Sequence, residues 1–185
     1  LEAQSQNFQE AYNYYRRAFL VPEDSPFAVS RHPALRSGIN FRFALVAKKV
    51  GRIDEAIDAM MRAVLLTPND SAILFELGHT YLQQEKFQDA LNNLNLAYQL
   101  QPDNPRLLTA IGYTLFNTNE MQSSLEFLTR AVNLAPQYAL AWYHLGNVQV
   151  TLGNKTDAID SFNAAIQLQP NFVQANQALQ QLQGN

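Results

Sequence analysis

One period constrains this chain more than any other feature. Pro68, Pro102, Pro136 and Pro170 recur every 34 residues, and Ala63, Ala97, Ala131 and Ala165 keep the same step. Leu66, Leu100, Leu134 and Leu168 do so too, as do Gly78, Gly112 and Gly146. A unit of this length holds two helices and their turns, and it buries its apolar face only by stacking on its neighbours. The period predicts an all-α chain built as a continuous solenoid of antiparallel helix hairpins.

The stretch 139–172 shows how one hairpin is made. Trp142, Leu145 and Gln149 fall at i, i+3 and i+7, one face of a first helix. Gly146 lies on that face, where glycine costs about 1 kcal/mol relative to alanine; close approach of the partner helix is the expected reason. Gly153 is expected to end the first helix in a left-handed cap. Ala158, Phe162, Ala165 and Ile166 form the apolar face of the second helix, and Pro170 marks its exit. Small residues alternate with large ones, so the two helices can interdigitate at short range.

The pattern Trp142, Leu145, Gly146, Ala158, Phe162, Ala165, Pro170 resembles the tetratricopeptide repeat. Upstream copies read Leu74, Leu77, Gly78, Tyr81, Ala90, Leu94, Ala97, Pro102 and Leu108, Ile111, Gly112, Leu115, Ser124, Leu128, Ala131, Pro136. A weaker one reads Asn40, Phe43, Ala44, Ala47, Ala56, Met60, Ala63, Pro68. The resemblance implies a right-handed superhelix of four repeats, 37–70, 71–104, 105–138 and 139–172. An N-terminal helix and long loop (1–36) would precede them and a capping helix (173–185) would follow. Helices are expected near 38–50, 53–66, 71–84, 87–100, 105–118, 121–134, 139–152, 155–168 and 171–183. Asp70 is a good N-cap. The hairpin turns place Gly51, Glu85, Asn119 and Gly153 at equivalent positions. Glutamate tolerates the left-handed conformation poorly, so the Glu85 turn is expected to differ.

Residues 5–21 read as an amphipathic helix with Phe8, Ala11, Tyr12, Tyr15, Ala18 and Phe19 along its stripe. Ala11, Tyr15 and Ala18 have the spacing of a second helix whose first helix is absent or vestigial. The stripe must be buried: on the first full repeat, on a partner, or on a second copy of the chain. Phe8, Tyr12, Tyr15 and Phe19 are the candidate self-association residues. Residues 22–37, with Pro22, Pro26 and Pro33, read as a long connection.

Composition excludes several classes of function. A net charge of −3 gives no global case for nucleic acid. Residues 1–70 hold nine Lys/Arg against eight Asp/Glu, and 71–185 four against eight. With no cysteine, disulfide and thiol chemistry are ruled out. No apolar run spans a bilayer, and no direct membrane insertion is expected. No nucleophile elbow, phosphate-binding glycine loop or zinc-binding His-Glu-x-x-His is present. His79 and His144 lie almost two repeats apart. No catalytic residue, metal site or cofactor is expected, and the chain is read as non-enzymatic. A cytoplasmic place is expected, or a periplasmic or membrane-tethered one should an upstream segment exist. The Gln/Asn-rich style is similar to bacterial repeats that serve in secretion, pilus or membrane-complex assembly.

The resemblance also implies where a partner would sit, since first helices of such repeats line the concave side. Carried over by position, the groove is expected to hold Phe41, Leu45 and Lys48; Phe75, His79 and Leu82; Arg106, Thr109, Tyr113 and Phe116; and Tyr143, Asn147 and Val150. Chaperone-binding members clamp a C-terminal carboxylate with Lys, Asn and Arg. Here the matching positions hold Phe41, Leu45, Glu76, Arg106 and Ala110, and only Arg106 fits. An apolar or aromatic protein segment suits this surface better than an acidic C-terminal tail. The first expectation is an adaptor that holds a peptide or partner in assembly of a multiprotein complex. The alternatives are a module that dimerises through its N-terminal helix and a regulatory region of a larger enzyme.

Overall fold

The computed structural model describes residues 2–21 and 32–184, and among these every regular element is a helix. In chain order they are α1 (Glu2–Phe19), α2 (Pro33–Lys49), α3 (Ile53–Leu66), α4 (Ser71–Gln83), α5 (Phe87–Leu100), α6 (Pro105–Asn117), α7 (Met121–Leu134), α8 (Ala139–Thr151), α9 (Lys155–Leu168) and α10 (Val173–Gly184). From α3 onward the helices start where the periodicity puts them, within two residues. The start of α2 differs: it begins at Pro33 and not near 38. Pro33 is an initiator there, because the first helical position needs no N–H and proline presets its φ. Of the expected 22–37 connection, residues 22–31 lie outside the described residues.

Helix ends follow local chemistry. Asp70 Oδ1 accepts from the backbone N–H of Ala72 and Ile73 at 3.0 and 3.2 Å, and Asn104 Oδ1 accepts from Arg106 and Leu107 at 3.1 and 3.3 Å. These bonds satisfy donors that a helix start otherwise leaves open. The hairpin turns close through backbone hydrogen bonds, to which Thr118 adds side-chain bonds to Leu115 O and Glu120 Oε1 in the Asn119 turn. Arg52 N–H reaches Ala47 O, Glu120 N–H reaches Leu115 O and Asn154 N–H reaches Gln149 O, each at 2.8 Å.

The turn residues Gly51, Asn119 and Gly153 take φ of 78°, 66° and 80°. Glu85 does the same, with φ of 55°, so the expected departure of this turn is corrected. A left-handed φ is unfavourable for glutamate, and the strain is carried at that residue. Glu85→Gly is therefore expected to stabilise the protein by about 1 kcal/mol. A higher denaturation midpoint checks this; an unchanged or lower one contradicts it.

The chain forms two compact units, 1–84 and 85–185. In the first, Tyr12, Phe43, Ala44, Ala47, Ala56, Ala59, Met60 and Leu77 make the core, and Tyr15, Phe19 and Phe41 pack against it. In the second, one cluster is built on Leu108, Leu128, Ala131, Leu145 and Val148, and another on Ala139, Ala165, Phe172 and Ala175. The main helix contacts within each unit join sequence neighbours, and α6 also meets α8. Two helical glycines, Gly112 and Gly146, serve close packing. A Cβ on Gly146 would lie 2.5 Å from the Phe162 ring, and one on Gly112 would lie 2.5 Å from Leu128 Cγ. Ser124 Oγ, fully buried, donates to the carbonyl of Gly112 at 2.7 Å and ties α7 to α6.

The stripe of α1 is used inside the first unit. Tyr12 is 5% exposed, with its ring 5.6 Å from Phe43, and its hydroxyl donates to both Glu55 carboxylate oxygens at 3.0 and 2.9 Å. Burial, and then the Glu55 carboxylate, raise its pKa. Phe19 packs 4.7 Å from Phe43 under the Arg62 guanidinium, and Arg16 adds an ion pair to Glu55 at 3.4 Å. Tyr12 thus has no ring surface for a second copy, and Tyr15 and Phe19 are half-buried on the same core. Of the four candidate self-association residues Phe8, at 42%, is the most exposed, and Tyr12 is buried.

Candidate partner-binding site

Each unit presents part of the expected surface on its first helices. In the unit 1–84, α2 carries Phe41, Leu45 and Lys48, and α4 carries Phe75, His79 and Leu82. The two helices are joined by Lys48 Nζ, which donates to Glu76 Oε2 at 3.2 Å. Phe75 and His79, one turn apart on α4, stack with ring centroids 6.1 Å apart. Phe41 is half-buried against the core and Leu45 is 36% exposed. Leu82 is 8% exposed and belongs to the interior, which corrects its place in the groove.

In the unit 85–185, α6 and α8 bring aromatic rings together. Tyr113 on α6 lies 4.7 Å from His144 on α8. His144 lies 5.3 Å from its neighbour Tyr143, and Tyr143 lies 5.0 Å from Phe172, which precedes α10. Tyr113, Tyr143 and His144 are half-buried. Asn147 and Phe116 are also half-buried, Phe116 against the core cluster around Leu108, and Arg106 is exposed in the first turn of α6. Thr109 is 3% exposed, and its hydroxyl donates to Pro105 O at 2.7 Å. Its side chain is spent inside the helix, so it too leaves the groove.

His144 is the site residue that the positional carry-over missed, because it falls one residue beyond the position that selects Tyr143. Burial holds its imidazole neutral and lowers its pKa to about 4. An unfolded chain titrates this residue near 6.5. As pH falls below that value the unfolded state takes up a proton that the folded state refuses. The His144 contribution is therefore whole above pH 6.5 and declines as pH falls toward 4. The decline is expected to reach about 2–3 kcal/mol. Denaturation of parent and His144→Gln across this window checks it: the variant should lose less stability on acidification. Equal slopes would contradict it.

In the hairpins α2–α3 and α8–α9 charge is sorted between the two helices, a pattern that division of the chain into halves concealed. The first helices α2 and α4 carry Arg36, Arg42, Lys48 and Lys49 against Glu76 alone, and α6, α8 and α10 carry Arg106 and no carboxylate. The second helix α3 carries Asp54, Glu55 and Asp58 against Arg62, and α9 carries Asp157 and Asp160 against Lys155.

Among the described residues no group of three or more His, Cys, Asp or Glu could hold a metal ion. Among the same residues no helix is long and apolar enough to cross a membrane. Every buried side-chain polar atom described has a hydrogen-bond partner.

Models of the tetratricopeptide repeat match residues 41–105, 75–139 and 139–172. No curated protein matches the chain significantly by sequence. Among solved structures, the crystal structure of MamA is 28% identical over 76% of this chain and 82% of that chain, with a TM-score of 0.70. YrrB, described as a TPR protein with an unusual peptide-binding site, is 19% identical over 95% of this chain and 85% of its own, with a TM-score of 0.75. The first TPR of Spaghetti (RPAP3), bound to the HSP90 peptide SRMEEVD, is 23% identical over 62% of this chain and 90% of its own, with a TM-score of 0.59.

Proposed function

Because the chain belongs to the tetratricopeptide repeat family, we propose that it is a non-enzymatic interaction scaffold that holds a peptide or partner segment on its first-helix faces, in the assembly of a multiprotein complex. The observation that carries this reading is the array of half-buried rings Tyr113, His144 and Tyr143, fixed by contacts on two helices. Rigid aromatic side chains supply contact area at little entropic cost, and such residues dominate binding energy at interfaces. YrrB and the Spaghetti domain, which share the fold, are described with peptide sites or bound peptide. The contact residues proposed are Phe41, Leu45, Lys48, Phe75 and His79 within residues 1–84 and, separately, Arg106, Tyr113, Phe116, Tyr143, His144 and Asn147 within residues 85–185. A free C-terminal carboxylate is disfavoured, because Glu76 occupies one of the clamp positions and Ala110 another.

The test compares this chain with a variant carrying Phe75→Glu and Tyr113→Glu as baits in a quantitative pull-down, after circular dichroism shows both folded. A discrete protein captured by the parent and lost by the variant supports the reading. Identical capture by both baits overturns it.

A further inference from the structure

An exposed face of α2 carries a strip that the aromatic array does not explain. Leu35, Arg42 and Lys49 lie seven residues apart, which stacks them along one line of the helix, and Leu45 sits beside that line between the two cations. All four are exposed, Leu35 at 62% and Leu45 at 36%. The strip runs for about 21 Å at the helical rise. Lys49 in the last turn also suits the helix dipole, but Arg42 is mid-helix, where the dipole offers it nothing. The one carboxylate on α2 and α4, Glu76, is held by Lys48, and among the described residues neither Arg42 nor Lys49 forms an ion pair.

We propose that this strip docks an acidic amphipathic helix of a partner protein. Two apolar residues would sit on Leu35 and Leu45, and two carboxylates would reach Arg42 and Lys49. The spacing of the strip specifies the partner. Two antiparallel helices advance by the same rise, so the partner presents an acid, an apolar residue four positions on, an acid three further and an apolar residue seven beyond that. All four then fall on one face. Charge complementarity sets the choice of partner, and the leucines supply the apolar contact. The inference rests on the reading that first helices face the partner, and adds the chemistry of what is recognised in residues 1–84.

The test uses a fluorescein-labelled synthetic helical peptide with Glu and Leu at the specified positions in an Ala/Gln background. One control replaces both Glu by Gln and another replaces both Leu by Ser. Anisotropy titrations are run with the full chain and with a variant carrying Arg42→Glu and Lys49→Glu. The Glu/Leu peptide is expected to bind about tenfold more tightly than either control, and to lose that margin with the variant and at high salt. Equal affinity of the Glu and Gln peptides, absence of binding by all of them, or undiminished binding by the variant overturns the strip. In each of those cases the pull-down with the Phe75→Glu and Tyr113→Glu variant still decides the aromatic reading by itself. Sedimentation of the chain alone covers the other occupant: a dimer that dissociates on Arg42→Glu and Lys49→Glu would make a second copy the ligand and overturn the proposal. Displacement of the peptide by a single-stranded oligonucleotide of equal charge would overturn it in favour of a polyanion site.

Discussion

Phe162→Ala is expected to cost about 3–5 kcal/mol, one of the two largest effects of a single substitution in this protein. The ring is 1% exposed and lies directly over the backbone of Gly146, with Tyr143 at 6.1 Å. Its removal empties the contact between α8 and α9 that the glycine exists to allow. Gly146→Ala attacks the same contact from the other side, since the added methyl would meet the ring at 2.5 Å. It is expected to cost about 1–2 kcal/mol, because overpacking outweighs the gain in helix propensity. Combined, the two changes should cost clearly less than their sum, since the methyl enters the space the ring has left. Chemical denaturation of the four proteins measures this, and strict additivity would contradict the packing described.

Phe43→Ala is expected to be as costly, about 3–5 kcal/mol, and to have a second consequence. Phe43 is fully buried and carries Tyr12 and Phe19 on its ring. These two contacts hold α1 to α2, while the Tyr12–Glu55 hydrogen bonds hold it to α3. Losing the ring should speed amide exchange across Asn7–Phe19 well before the rest of residues 32–84 opens. Uniform exchange through that whole region would show that α1 is anchored otherwise.

The architecture was legible because it is written several times over. A substitution obscures one copy of a repeat, but the alanines and prolines at 34-residue spacing place every hairpin. What escaped was what the period does not encode. Glu85 adopts a left-handed φ that its own chemistry resists. Pro33, taken as part of a break, opens a helix, since proline disrupts an interior but suits a first turn. At the candidate site, position in the repeat tells which way a residue points and not how deep it lies. Leu82 and Thr109 are buried, whereas His144, one place out of register, completes the aromatic array. The sorting of charge between first and second helices was readable once the helices were placed, but only helix by helix.

The pattern of contacts bears on how quickly the protein folds. Because the main helix contacts within each unit join neighbours in the chain, little loop entropy is lost before a contact is gained. Low contact order of this kind belongs to the fast end of the folding range, on the order of microseconds to milliseconds. Any hairpin can begin the process, and growth proceeds by addition of adjacent helices. Within the second unit α10 contributes one buried residue, Ala175, so it is the element expected to open first, and its opening reports on its own contacts and not on the Leu108 cluster.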